Sequence, residues 1–173
     1  MQKIDKITQE LKDLGIRVKV DDNDQKRPGF KFAEYEMMGV PIRLGLGKRD
    51  IANNVIEVAR RDTKEKNSIN QENIGSYIKN LLIEIQDNLL TRAKEFRTSM
   101  THTVDNMETF KEALEKGGFI MAHWDGTSET EQAIKDETNA TIRCIPNDFV
   151  EEEGKCVYSG KPSKGRVVFA KAY

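Results

Sequence analysis

The stretch RPGFKFAEYEMMGVPIRLGLGKRD, residues 27–50, decides how this 173-residue chain begins to fold. A helix-sized piece is followed by a strand-sized piece. In the second piece Ile42, Leu44 and Leu46 alternate with other residues, so they would bury one face of a strand and leave Arg43 on the other. A forked, charged donor on a rigid strand suits contact with a planar hydrogen-bonding ligand, such as a nucleic-acid base, better than packing in a core.

The composition allows one domain or two small ones with a well solvated surface, since 33% of the residues are charged and the mean hydropathy is -0.66. No apolar run approaches the roughly 18 residues of a membrane span, and the N-terminus does not resemble a secretory signal. The two cysteines, Cys144 and Cys156, form no disulfide framework. We therefore expect a cytoplasmic protein without a membrane partner. The net charge of -1 means that any RNA site must be a local basic patch.

Residues 1–103 are predicted to form an α/β domain with a mixed sheet. Ile4, Ile7, Leu11 and Leu14 follow the spacing of one helix face, and alternating apolar residues indicate strands further on. The predicted elements are, in order, a helix over 3–14, a strand over 16–20, a helix over 30–38, strands over 41–47 and 55–60, a polar turn region over 64–73, and a long connecting helix over about 74–100. The apolar residues of the long helix are expected to hold one face for about six turns.

The order of these elements predicts one more strand ahead of the first helix. An amphipathic helix that crosses between parallel strands needs a strand on each side, and this chain opens on the helix. We therefore expect that the chain is a fragment, or that its first strand was removed.

Residues 104–173 are predicted to form a second, small α+β domain. Asp105 is the expected N-cap of a helix that ends at Gly117, and Ser128 with Glu131 reads as a capping box for the next helix. Strands are expected over 118–124 and 140–146, and the segments 155–157 and 166–170 are expected to pair around a turn.

Two interpretations of the aromatic residues Phe30, Phe32 and Tyr35 stay open. At helical spacing they can belong to a core, or they can form a platform on which bases stack. Basic neighbours favour RNA, and Arg43 with Asp50 would supply a donor and an acceptor for a base edge. The basic residues in question are Lys26, Arg27, Lys31, Arg43, Lys48 and Arg49.

Other chemistries fit less well. The acidic run at 21–24 lacks the glycine and the glutamate of a calcium loop, and GLGKRD lacks the Ser or Thr that follows the lysine of a phosphate loop. His102 and His123 lie in no catalytic motif. We expect no catalytic residue in this chain and no catalytic activity from it alone.

Two long runs resemble one family. GIRVKVDDNDQKRPGFKFAEYEMMGVPIRLGLGKRDI, followed by NNVIEVARRDTKEK, resembles the anticodon-binding domain of prolyl-tRNA synthetase. The ending ATIRCIPNDFVEEEGKCVYSGKPSKGRVVFAKAY resembles the C-terminal domain of the archaeal/eukaryote-like form of that enzyme. The resemblance covers essentially the whole chain.

The resemblance implies that this chain is the C-terminal part of a ligase that joins proline to tRNA(Pro). An upstream class II catalytic domain of the same polypeptide would use ATP and Mg²⁺ and would form a homodimer. In the family a strand precedes the first helix, as expected above. The alternative is a structural or protein-interaction module that shares the fold and binds no RNA.

The resemblance also implies that this domain reads the two conserved guanines of the proline anticodon through a set of named residues. Phe32 would stack on a base, while Arg43 and Arg49 would donate hydrogen bonds to the guanines. Glu36 and Asp50 would accept from guanine. Two further residues, Lys48 and Lys66, would contact phosphates or bases.

The C-terminal part departs from the family pattern at its zinc site. The family often holds a structural zinc with four cysteines, and the matching positions here are Asp125, Thr130, Cys156 and Ser159. One thiolate, one carboxylate and two hydroxyls do not make a tetrahedral zinc site, so we expect no zinc, with hydrogen bonds and packing in its place. The resemblance further implies that the terminal Tyr173 reaches the catalytic site of the intact enzyme.

Overall fold

The computed structural model of this protein describes residues 2–171. The chain divides into two compact units, Met1–Arg92 and Ala93–Tyr173. Each unit combines helices with an open sheet, which confirms the predicted mixed α/β organisation. No helix within the described range is both long and apolar enough to cross a membrane.

The first unit places three helices and three strands ahead of a long helix. The elements are α1 Gln2–Asp13, α2 Pro28–Met37, β1 Ile42–Gly45, α3 Lys48–Ala52, β2 Val55–Arg60, β3 Lys66–Asn70 and α4 Ile74–Ser99.

The strands of the first unit form an antiparallel sheet in the order β1-β2-β3. One face packs on α1 and α4, and its central residues Ile56 and Val58 are each 2% exposed. Ile42 and Leu44 pack against the same core. The predicted alternation in β1 and β2 is therefore confirmed, and it turns Arg43 to the opposite face of the sheet.

The end of β2 is tied to α4 through a buried carboxylate. The Arg60 guanidinium donates two hydrogen bonds to Asp62, at 3.0 and 2.8 Å, and the Asn88 amide donates a third at 2.7 Å. These bonds, that from Arg60 above all, hold the pKa of Asp62 well below its ordinary value, despite the opposing effect of burial.

Two predictions for the first unit are wrong. Residues 16–20 form no strand and pair with none among the described residues, although Ile16 and Val18 pack against the core. The segment expected to be a polar turn contains β3. Its single apolar residue, Ile69, packs on the core, so five residues with one apolar position gave too little alternation to detect.

The long helix was predicted correctly in extent but not in burial. Ile74, Ile78, Leu81 and Ile85 are buried, as the apolar spacing predicts. Beyond them Leu89 is 42% and Phe96 is 68% exposed, so the predicted buried face of about six turns stops at Ile85.

The second unit is built around a four-stranded sheet in the order β4-β5-β9-β6. Phe110 and Phe169 are fully buried at its centre, in edge-to-face contact with ring centroids 5.3 Å apart. The elements are β4 Thr101–Val104, α5 Met107–Lys116, β5 Phe119–His123, α6 Ser128–Thr138, β6 Ala140–Cys144, β7 Gly154–Lys155, β8 Pro162–Ser163 and β9 Arg166–Lys171.

Three local predictions for the second unit are corrected. Asn106, not Asp105, caps α5 by accepting a hydrogen bond from the Thr109 amide at 2.9 Å. The N-cap of α6 is Thr127, one residue before the predicted Ser128.

The third correction concerns strand pairing. β9 was expected to pair with the segment just before it, but it lies between β5 and β6. The short strands β7 and β8 pair with each other instead.

Candidate nucleic-acid interface

The face of the β1-β2-β3 sheet that points away from the core is polar and open. Cross-strand pairing puts Arg43 beside Ala59 and Ala59 beside Lys66 in one row. Gly45, Glu57 and Ser68 form the adjacent row. Partners across antiparallel strands share a face, so two rows of mainly small or charged residues make a surface that a flat ligand can approach.

Arg43 is held on this face by two neighbours. Its guanidinium carbon lies 3.6 Å from the centroid of the Phe32 ring, which is a stacked cation–π contact. Its Nη1 donates a hydrogen bond to Glu57 Oε1 at 2.9 Å. The side chain is 17% exposed. The ring that was expected to stack on a base therefore stacks on the arginine, and the plane of the guanidinium is fixed.

The aromatic residues of α2 do not form a core. Phe30 is 59% exposed, none of the α2 residues is buried, and none of the three rings belongs to the buried cluster of the first unit. Each ring instead carries a cation: Lys26 lies 5.0 Å from Phe30, and Lys19 lies 5.2 Å from Tyr35. Of the two open interpretations, the core is excluded by this arrangement.

Half of the predicted basic cluster is already paired with carboxylates. Lys26 contacts Glu34 at 2.9 Å, and Lys31 contacts Asp21 at the same distance. Arg43 is the third paired cation, and its partner is Glu57. Within residues 2–171 no ion pair is formed by Arg27, Lys48, Arg49 or Lys66. Because no carboxylate of the described residues neutralises them, these four side chains can bind a phosphate.

Lys48, Arg49 and Asp50 lie together in the short helix α3, directly after β1. The first two are exposed. Asp50 Oδ2 accepts a hydrogen bond from the Gly47 amide at 2.8 Å, which caps the helix. The Oδ1 atom of Asp50 accepts no hydrogen bond within residues 2–171 and is available for the predicted contact with a base.

Glu36, at the end of α2, is drawn into a basic environment. Its Oε2 lies 2.7 Å from Lys64 Nζ, and its carbonyl oxygen accepts from Arg61 Nε at 2.8 Å. The hydrogen bond and charge of Lys64, with the charges of Arg43 and Arg61, lower the pKa of the Glu36 carboxyl below its ordinary value. Glu36 is thus a carboxylate at neutral pH, as an acceptor of guanine N–H groups must be.

The sequence alone did not reveal Glu57 as part of this site. Glu57 lies 14 residues after Arg43 and meets it only through the register of two strands. A β carbon on Gly45 would lie 3.4 Å from Glu57 Oε1 and 3.5 Å from Arg43 Nη1, so this glycine leaves the space beside the pair open. The G-L-G spacing was the one available signal.

Three of the four residues at the family's zinc positions meet in the second unit. Asp125 Oδ2 accepts from Ser159 Oγ at 2.6 Å and from Thr130 Oγ1 at 2.9 Å. Asp125 Oδ1 accepts from the Thr127 hydroxyl at 2.8 Å. Cys156 is a buried free thiol. We call Asp125, Thr127, Thr130 and Ser159 the Asp125 cluster.

The side chains of the Asp125 cluster do not have the chemistry of a zinc site. Hydroxyl donors already surround its single carboxylate, and zinc prefers thiolate and imidazole ligands. No group of three metal-ligating side chains occurs anywhere in the described range. Burial acts to raise the pKa of Asp125, but the hydrogen bonds from Ser159, Thr127 and Thr130 outweigh it and lower that pKa to about 2.

A serine–histidine contact does occur in the second unit. His123 Nδ1 lies 3.1 Å from Ser163 Oγ, and Glu152 lies 3.7 Å from the other ring nitrogen. Ser163 is only 6% exposed and donates to the Gly165 carbonyl at 3.0 Å, so its hydroxyl serves the β8 turn. Tyr173, expected to act near a catalytic site, lies outside the described residues.

Comparison with known proteins agrees with the family resemblance described in the sequence analysis. Residues 1–81 match the family model "Anticodon binding domain", and residues 107–173 match "Prolyl-tRNA synthetase, C-terminal". Proteins named proline–tRNA ligase are 56% identical in Bacteroides fragilis, 56% in Parabacteroides distasonis and 54% in Porphyromonas gingivalis. Each alignment covers 99% of this chain and 35% of the relative, so the chain spans about a third of the length of these proteins.

The fold and these matches define the class as an anticodon-binding module of an aminoacyl-tRNA synthetase, followed by a small C-terminal domain. Within that class the chain belongs to the prolyl-tRNA synthetase family, of which it represents the C-terminal portion. The expected assignment to the archaeal/eukaryote-like form is not borne out by these comparisons.

Proposed function

We propose that this chain binds the anticodon of tRNA(Pro) and positions that tRNA for a class II catalytic domain of the same polypeptide. The complete enzyme would form prolyl-tRNA, AMP and diphosphate from proline, ATP and tRNA in the cytoplasm, as a homodimer. ATP and Mg²⁺ belong to the catalytic domain in this proposal, and the present chain contributes recognition. We also propose residues 103 and 104 as the boundary between its two domains.

The observation that carries the proposal is the stacked Arg43 on the open sheet face. A guanidinium fixed in a plane can donate two hydrogen bonds to one base, and arginine is the residue that most often reads guanine O6 and N7. Lys66 lies on the same sheet face as Arg43, and Lys48 follows directly after β1. They can hold the phosphates beside a base that Arg43 reads.

The remaining roles follow from the chemistry of each group. Arg49 would donate to a second base, while Glu36 and the unused oxygen of Asp50 would accept from guanine N–H groups. Phe32 would act by orienting Arg43 and by offering its free ring face to a base. Contacts of this kind read unpaired bases, as an anticodon loop presents them.

Filter binding with the complete 173-residue chain tests the proposal. The chain should retain proline tRNA more tightly than a tRNA with a different anticodon at every salt concentration. Affinity should fall with salt at a slope that reflects about three to four phosphate contacts. Equal binding of both tRNAs, or none, would contradict the proposal and favour an interaction module that does not read RNA.

A further inference from the structure

Both side chains of the Arg43–Glu57 ion pair have hydrogen-bonding groups that the pair itself does not use. Glu57 lies on β2, the central strand of its sheet, with its side chain 40% exposed. Its Oε1 accepts from Arg43, and within residues 2–171 no hydrogen bond engages its Oε2. Arg43 makes one hydrogen bond there, so most of its donors are also uncommitted. A donor group and an acceptor group thus lie side by side, facing the same open space.

Two small residues on the same face of the sheet keep that space open. Gly45 pairs with Glu57 across the strands, and Ala59 follows two residues later on the same face. Even a β carbon at Gly45 would lie in van der Waals contact with both charged groups, so any side chain there would narrow the space next to them. A planar base can approach the sheet closely over a glycine and an alanine.

The order of donor and acceptor suits one base. Guanine presents the acceptor O6 next to the donors N1–H and N2–H, so Arg43 can donate to the first while Glu57 accepts from the others. Adenine presents a donor amino group next to an acceptor nitrogen, which would place donor against donor and acceptor against acceptor. A carboxylate left facing a base acceptor is strongly unfavourable in a site that excludes water.

We infer that Glu57 is a specificity-determining residue of this site, which orients Arg43 over Phe32 and supplies the acceptor that selects guanine over adenine. This inference rests on the proposed function, because it names how the same surface distinguishes bases. It adds a residue that lies outside the basic and aromatic stretch at 27–50.

The test uses the whole chain, proline tRNA, and a proline tRNA in which the anticodon guanines are replaced by adenine. Glu57→Gln keeps the size of the side chain but changes its charge and gives it a donor. We expect the ratio of the two affinities to shrink at least about fivefold relative to the unmodified chain. Glu72→Gln is the matched control, because Glu72 is an exposed acid of the same unit that forms no ion pair among the described residues.

A second variant keeps the inference testable if Glu57→Gln fails to fold. Gly45 has an ordinary backbone conformation, and an added methyl group would make only van der Waals contacts, so Gly45→Ala should fold. It should still weaken binding of proline tRNA several-fold, because it narrows the space for the base.

The outcomes separate the inference from the proposed function. Unchanged discrimination in Glu57→Gln, or unchanged affinity in Gly45→Ala, overturns the inference while binding by the unmodified chain upholds the proposed function. If the unmodified chain itself does not prefer proline tRNA, the proposed function fails first.

Discussion

Arg43 lies between two partners that act on different parts of it. Phe32 covers one face of the guanidinium at 3.6 Å, and Glu57 fixes one nitrogen at 2.9 Å. Flexible cations lose conformational entropy when they bind, and a side chain that is already stacked and bonded loses less. Orientation, more than charge, is therefore the contribution we assign to this residue.

Replacement of Arg43 tests that assignment. Arg43→Ala should weaken binding of proline tRNA by about 1–3 kcal/mol and relax the preference for the anticodon, as loss of a bidentate base contact does. Arg43→Lys keeps the charge and is the control: it should restore part of the affinity but little of the preference. An equal fall for proline tRNA and for an anticodon variant would mean that Arg43 touches only the backbone.

The Asp125 cluster gives a prediction about pH. The folded pKa of Asp125 is lowered to about 2 from the ordinary 3.8, so the unfolded chain takes up its proton first as the pH falls. The stability that this carboxylate contributes is complete above about pH 5 and is lost as the pH falls through 4 towards 2.

Thermal or urea unfolding of Asp125→Asn measures that contribution. At pH 7 the variant should be less stable by about 1–3 kcal/mol, because the buried Thr130 hydroxyl and its two neighbours lose a charged acceptor, and the difference should shrink at pH 3. A chelator should leave the unfolding curve of the unmodified chain unchanged. About one zinc per purified chain, or a constant difference at all pH values, would contradict this account of the cluster.

Sequence could reveal some of these residues and not others. The alternation of Ile42 and Leu44 predicted the direction of Arg43, and the metal pattern pointed to Asp125, Thr130 and Ser159. Glu57 was not found from the sequence, because the register between two strands cannot be deduced from the spacing of residues along one of them. The capping bond of Asp50 and the stacking of Phe32 on Arg43 likewise depend on where neighbouring elements meet.

At the scale of elements, apolar periodicity predicted four elements correctly and failed at residues 16–20, where the alternation predicted a strand that does not form. α1, α4, β1 and β2 each show it, and each forms close to its predicted position. β3 has one apolar residue and β9 finds partners far along the chain, at β5 and β6. Sequence pattern identifies elements that carry their own buried face, but it does not choose between possible strand partners.

The turn between α5 and β5 gives a prediction about backbone fit. Gly117 and Gly118 have φ values of 79° and 92°, in the range that side chains rarely adopt. A β carbon on Gly118 would lie 2.1 Å from the Met100 carbonyl oxygen, whereas nothing lies within 4 Å of one on Gly117.

Alanine substitution at each glycine separates strain from contact. Gly117→Ala should destabilise the chain by about 1–2 kcal/mol through backbone strain alone. Gly118→Ala should lose about 3 kcal/mol or more, because β4 and β5 must also move apart. Coincident unfolding curves for the two variants would show that this interpretation of the turn is wrong.

At the scale of the whole molecule, the chain consists of two units that match two parts of one family. The first carries the open sheet face with Arg43, and the second carries the Asp125 cluster. Since the relatives are about three times as long, the two units supply recognition and support within the function that we propose.

The most direct test of that function is the ratio of affinities for two tRNAs that differ only in the anticodon. The whole chain is titrated with proline tRNA and with the form whose anticodon guanines are adenines, at one salt concentration near 0.15 M. We predict at least about tenfold tighter binding of proline tRNA, since each mismatched base contact is worth about 1–3 kcal/mol. Equal affinities would contradict the claim that this surface reads the anticodon.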